Sequence, residues 1–336
     1  MITILKQGFL TTIQDIGRYG YQKYGVITSG AMDSISLRLA NLLVGNEENQ
    51  PVLEMTIQGP HIRFEHDSLI AITGGDLSPM IDQTLIPLWK AIFVKKGTEL
   101  TFSKAQTGCR AYLAIGGGFV VPEVLGSTST YLRANIGGFK GRPLKAGDQL
   151  SIYPPKQHVI PFMEYARQNL LNRAFIEAKW SISTKYIPNF SSHPVIRIVK
   201  GRDYHFFTKE SQYQLFHQPF SITPNSDRMG YRLLGPLLKL DKLQEMISAA
   251  VTFGSIQVPS EGNPIILMAD RQTTGGYPII GEVATVDLPL IAQTKPGDSL
   301  SFLEISHQDS QLLYLNREQN LRSIKQGIIQ KYREEA

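Results

Sequence analysis

The sequence predicts a mainly β protein of two lobes, with a few short helices and one longer C-terminal helix. Three observations carry this. First, 336 residues exceed what one ordinary core holds and fit two. Second, β-branched and aromatic runs stop at glycines: Leu69–Thr73 leads into Gly74-Gly75-Asp76, and Ala111–Ile115 into Gly116-Gly117-Gly118. Such punctuation argues for sandwich or barrel strands. Third, a turn-then-strand unit recurs as Lys96-Gly97-Thr98-Glu99-Leu100, Lys145-Ala146-Gly147-Asp148-Gln149-Leu150 and Lys295-Pro296-Gly297-Asp298-Ser299-Leu300. In each, glycine supplies the backbone freedom a tight turn needs.

The elements follow in order. Met1–Lys6 reads as a first strand and lacks the build of a signal peptide. A helix begins near Asp33 or Ser34, either of which can cap it. Ile35, Leu39, Leu42 and Leu43 form its apolar face, and Gly45 can end it. Residues 1–155 are assigned to an N-terminal β lobe. Residues 156–194 read as a connection, with helix-forming composition over Met163–Lys179. The strand Val195–Val199 opens a C-terminal β lobe, residues 195–305. In the tail, 306–336, Leu312, Leu315, Leu321, Ile324, Ile328 and Ile329 recur at roughly helical spacing.

Composition narrows the function. An apolar fraction of 42% and a charged fraction of 19% describe a globular chain. The longest apolar stretches are strand-sized, so no membrane span is expected. The single cysteine, Cys109, excludes an internal disulfide and a cysteine-based metal site, and the expected address is cytoplasmic. A net charge of +5 without Lys/Arg runs gives nucleic-acid binding no positive support. His61 and His66 lie five apart in a strand-like stretch, which sets the rings on opposite faces and argues against shared metal ligation. No phosphate-binding loop, HExxH, GxSxG or Rossmann fingerprint occurs.

What remains is a set of glycine-flanked polar loops. Gln14, Asp15 and Arg18 fall between two glycine-rich turns; they fit a carboxylate grip or an Asp–Arg pair stapling a turn. Ser29-Gly30-Ala31-Met32-Asp33 precedes a helix N-terminus, where exposed N–H groups suit an oxyanion and Asp33 can simply cap. Thr73-Gly74-Gly75-Asp76 follows an apolar strand. The stretch 126–148 is long and polar for a plain connector and favours a binding loop. Asp270-Arg271-Gln272-Thr273-Thr274-Gly275-Gly276-Tyr277-Pro278 presents acid, base, amide and two hydroxyls before its glycines, an order no turn requires. Asn225-Ser226-Asp227-Arg228-Met229-Gly230 is a smaller version.

These segments, with Gly8–Arg18 and Gly137-Gly138-Phe139-Lys140-Gly141-Arg142, resemble the biotin-dependent carboxyltransferase-like family, also called the allophanate hydrolase subunit 2 family. Within it they look most like the C subunits of ATP-dependent 5-oxoprolinases. The resemblance implies two cyclophilin-like β-barrel lobes and partnership with the A and B subunits, the latter KipI-like. It implies opening of the lactam of 5-oxoproline to L-glutamate with hydrolysis of ATP, a co-substrate whose site can lie on another subunit.

Under that resemblance Asp270, Arg271 and Asp33 are the catalytic candidates. Gln14, Asp15, Arg18, Asp76, Arg228, Gln272, Thr273, Thr274 and Gly275 are the substrate-binding ones; no metal is implied. Arg18, Arg228 or Arg271 would hold the carboxylate. Two other readings are carried: a carboxyltransferase acting on a urea-like amide, and a regulator that antagonises KipI. Biotin enters only the first, from another protein, because the chain holds no Met-Lys pair.

Overall fold

In the computed structural model, which describes residues 1–242 and 246–334, the regular structure is more strand than helix, and the chain divides into two compact units. The first comprises residues 1–17, 33–188 and 319–336; the second comprises residues 18–32 and 189–318.

The first unit holds two six-stranded sheets. One runs Gln149–Leu150, Ile2–Lys6, His61–Phe64, Glu99–Phe102, Pro79–Ile81, Thr84–Leu85. The other runs Phe175–Glu177, Ile92–Val94, Ser68–Asp76, Thr107–Ile115, Val52–Thr56, Leu10–Gln14. Alternation makes the layers: Ile2, Ile4, Ile62, Phe64 and Leu100 of the first meet Ile13, Leu53, Ile70, Ile72 and Leu113 of the second in one buried core.

Helix α1, Ser34–Leu43, lies in this unit, and Asp33 caps it through Ser36 N at 3.0 Å. Helix α2 covers Ile160–Asn169 only. Helix-forming composition extends to Lys179, yet Leu171 takes a left-handed φ of 50°. The chain then pairs Phe175–Glu177 with Ile92–Val94; sheet pairing overrides local propensity there.

The second unit is a closed seven-stranded barrel. Its order is Val195–Lys200, Ile279–Val283, Ser255–Gln257, Ile265–Leu267, Gly230–Leu234, Phe220–Ile222, Ser299–Glu304. Helices α3 (Lys209–His217) and α4 (Leu288–Ala292) accompany it. The core is Ile196, Ile198, Phe220, Ile256, Ile266, Phe302 and their neighbours. Two of the recurring turns are built alike, Asp148 and Asp298 accepting the Lys145 and Lys295 N–H at 2.7 and 3.0 Å; in the third the Lys96 N–H donates instead to Asp67, outside the turn, at 2.8 Å.

The tail is one helix, α5 (His307–Glu334), divided between the units at residue 318. In the first unit Leu321, Ile328 and Tyr332 are buried. Tyr332 meets Phe162 and Trp180 edge-on at ring distances of 5.7 and 5.2 Å. Its hydroxyl donates to Leu43 O at 2.5 Å, supplying a partner to one of the carbonyls orphaned at the end of α1. Tyr332→Phe keeps the rings and removes that donor. Its expected cost is about 1 kcal/mol, read as a lower urea midpoint with an unchanged slope.

Candidate functional site

In the first unit the polar loops are knitted inward. Asp15 is buried at the end of strand Leu10–Gln14. Its carboxylate accepts from Gly17 N (2.8 Å), Ser127 Oγ (2.7 Å), Thr128 N (2.6 Å), Thr128 Oγ1 (3.0 Å) and Ser129 Oγ. Gln14 Nε2 donates to Thr130 O at 3.2 Å. The polar stretch after Gly126 is thereby folded against the strand. Gly138 continues the clamp by donating to Thr128 O; it sits at φ 54°, where a Cβ would come within 1.9 Å of Thr130 Oγ1. Only glycine fits there. Arg142 closes the same loop on Asp148 with two 2.7 Å bonds.

Asp33 is fully buried, and its carboxylate accepts from both Ser36 N and Ser36 Oγ (2.6 Å). Its own N–H donates to Tyr112 Oη at 2.8 Å, and that hydroxyl donates to Glu54 Oε2 at 2.8 Å. Burial, then the neighbouring carboxylates of Glu54 and Asp33, hold the Tyr112 phenol well above its ordinary range. Asp76 accepts Ser78 N at 2.7 Å and shapes a turn.

In the second unit, strand Gly230–Leu234 pairs antiparallel with Ile265–Leu267. The ladder continues past it, Met268 N to Met229 O (2.9 Å) and Asp270 N to Arg228 O (2.8 Å). This sets the two predicted motifs side by side. Arg228 and Asp270 form a buried bidentate pair at 2.9 and 3.0 Å. Arg228 Nη2 also donates to Gly30 O at 2.6 Å. The two residues Ser29 and Gly30 stand at φ 53° and 91°, and the buried Ser29 hydroxyl has no hydrogen-bond partner among the described residues. Arg18, 1% exposed, also folds with this unit, its N–H on Thr28 O at 2.7 Å. Gln14 and Asp15 therefore belong to one unit and Arg18 to the other.

Arg271 differs from Arg228. Its guanidinium lies over the Phe253 ring at 5.7 Å, its Nη1 makes only a 3.4 Å contact to Met268 O, and its buried Nε has no partner among the described residues. Burial lowers its pKa from the usual arginine value, while Tyr19 and Glu282 pull it back. A half-buried guanidinium with an unmet Nε donor is primed for an anion. Beyond it Gln272 and Thr274 are exposed, and Ala249–Ala250 pairs with Thr274–Gly275. A Cβ on Gly275 would meet the Gln257 side-chain amide, Nε2 at 2.3 Å, so this glycine leaves room for that amide.

Sequence reasoning missed Glu282. It sits within the apolar strand Ile279–Val283 and accepts Thr252 Oγ1 (2.9 Å) and Ser255 Oγ (3.0 Å). Burial pushes its carboxyl up, and the two hydroxyls and the charges of Arg202 and Arg271 only partly offset this. A lone charge in an apolar strand was the available signal, as it was for Glu54 in Val52–Thr56. Because the folded state holds this proton more tightly, its stabilisation is present in acid and lost as pH rises through the raised pKa. Glu282→Gln should therefore raise the melting temperature by a few degrees at pH 8, with the gap closing in acid. Among the described residues no group of His, Cys, Asp or Glu is arranged to hold a metal, and no helix is long and apolar enough to cross a membrane.

A family model described as carboxyltransferase domain, subdomain A and B, matches residues 24–304. The C subunit of 5-oxoprolinase from Haemophilus influenzae is 38% identical, over 98% of this chain and 100% of its own length. The Escherichia coli protein of the same name is 36% identical over 92% of this chain and 93% of its own. The crystal structure of Kluyveromyces lactis urea carboxylase superposes on 97% of this chain with a TM-score of 0.86 and 32% identity, although this chain spans only 29% of that one. The chain is thus a member of the carboxyltransferase domain, subdomain A and B, family.

Proposed function

We propose that this chain is the C-type subunit of a cytoplasmic, ATP-dependent 5-oxoprolinase, working with A and KipI-like B subunits to open 5-oxoproline to L-glutamate. The observation that carries the reading is the end-to-end correspondence with a 5-oxoprolinase C subunit, 38% identical across its entire length. The site chemistry supports it. The substrate is a planar lactam bearing a carboxylate, and Arg271 is the arginine whose donors stand ready for such an anion. Arg228 is committed to Asp270 and Gly30; both residues act by positioning the loops around Arg271. Asp15 and Asp33 hold backbone in the same way within the first unit. Gln272, Thr273 and Thr274 supply hydrogen bonds to the lactam. ATP is a substrate of the complex, and its site is assigned to a partner subunit.

A second reading is favoured by one observation, the TM-score of 0.86 to a urea carboxylase: transfer of a carboxyl group to a urea-like amide from biotin on another protein. One experiment separates the two. With the A and B subunits present, 5-oxoproline should stimulate ADP release and avidin should leave it unchanged. Stimulation by urea that needs a biotinylated carrier and is abolished by avidin would replace the first reading with the second.

A further inference from the structure

A groove of about 960 Å³ in the second unit is lined by residues other than the polar loops assigned above. That volume suits a small-molecule site. Its apolar walls include Val199, Phe253, Val283 and Leu315. Glu282 lines it together with Thr252, which donates to its carboxylate, and with Lys200 and Arg202.

The carboxylate of Glu282 offers about four lone-pair positions, and Thr252 and Ser255 hydroxyls occupy some of them. The remaining capacity calls for a donor from the groove. Lys200 is paired with Glu304 at 2.8 Å, but a cationic ligand would still meet Arg202 in the lining and Arg271, whose charge is felt at Glu282. A neutral N–H donor carrying its own anion matches the charges instead. Arg202 is steadied for that anion by its Nε bond to Asp203 at 3.1 Å, and Asp203 is fixed in turn by Ile279 N at 2.8 Å. Phe253 carries Arg271 against its ring and lines the groove, joining this groove to the Arg271 site.

Resting on the 5-oxoprolinase reading, we propose that this groove extends the Arg271 site past Phe253 and takes the N–H side of the substrate, a small planar amide with an attached anion, Glu282 accepting the amide N–H and Arg202 sharing the carboxylate with Arg271. Phe253 and Val283 cover the apolar edge of the ring. Glu282 is thus a specificity residue: it requires an N–H beside the carbonyl, and an N-alkylated lactam is rejected because the carboxylate would be left facing a methyl group.

The test uses the reconstituted complex and the full chain. In the complex, Glu282→Ala and Arg202→Ala should each raise the KM for 5-oxoproline about tenfold or more, the loss expected for one hydrogen bond to a charged group. In titrations of the full chain followed by saturation-transfer NMR, Arg202→Ala should weaken 5-oxoproline but not 2-pyrrolidone, which lacks the carboxylate. Glu282→Ala should weaken both. A wild-type complex that releases glutamate while both variants keep its KM overturns the groove and leaves the 5-oxoprolinase reading standing. A wild-type complex that releases none sinks that reading. The groove then stands or falls on the titration with 5-oxoproline and urea: no binding, or binding indifferent to Glu282→Ala, overturns it.

Discussion

Asp270→Ala should destabilise the second unit by about 3–5 kcal/mol, because it strands the Arg228 guanidinium in a buried site without its counter-charge. Both side chains are nearly inaccessible, and the carboxylate accepts from both Nε and Nη2 of that guanidinium. On a unit of this size the loss corresponds to a fall in melting temperature on the order of 10 °C. The origin of the effect is checkable. If the cost is the unpaired charge, the double replacement Arg228→Met/Asp270→Leu should recover much of it, since well-packed apolar residues replace a buried ion pair at little net cost. Activity should not recover with stability, because the loops leading to Arg271 and Gly30 would have lost their tie. A double variant no more stable than Asp270→Ala would show that Asp270 acts through something other than this pair.

Asp15→Ala should be nearly as costly, through a different mechanism. One carboxylate satisfies three hydroxyls and two backbone N–H groups drawn from two separated segments. Removing it leaves buried donors unmet, at about 1–3 kcal/mol for each that water cannot reach. The hydroxyls can rotate to other partners; the amides of Gly17 and Thr128 cannot. The predicted loss is therefore roughly 3 kcal/mol, concentrated in the loop after Gly126. Amide exchange is the direct readout: protection at Thr128 and Gly138 should collapse while the strand Val52–Thr56 stays protected. Unchanged exchange at Thr128 would contradict the clamp.

Much of the fold is legible in the sequence because it rests on local rules. Asp33 caps α1, Gly45 follows its end at φ 74°, and the recurring Lys-to-Asp turns close as their sequences suggest. Composition overextends helix α2 because Phe175 and Ile176 satisfy a helical pattern as well as a strand edge, and pairing with Ile92–Val94 decides between them.

The site is legible only in outline. The motifs around Arg228 and Asp270 are visible, and their pairing is not, since forty-two positions separate partners brought together by a ladder. Arg18 and Asp15 stand three residues apart yet fold with different units, a division that spacing cannot reveal. Glu282 and Tyr112 escape a reading of the sequence because their chemistry comes from burial, which belongs to the fold and not to the residue.

Glutamate release from 5-oxoproline and ATP by purified A and B subunits, with and without this chain, decides whether the chain takes part in catalysis. Release is predicted only when all three are present, and it should be lost with Arg271→Ala in a complex that still assembles. Release by A and B alone, or none with the chain added, would contradict a catalytic subunit and favour a partner that regulates the KipI-like protein.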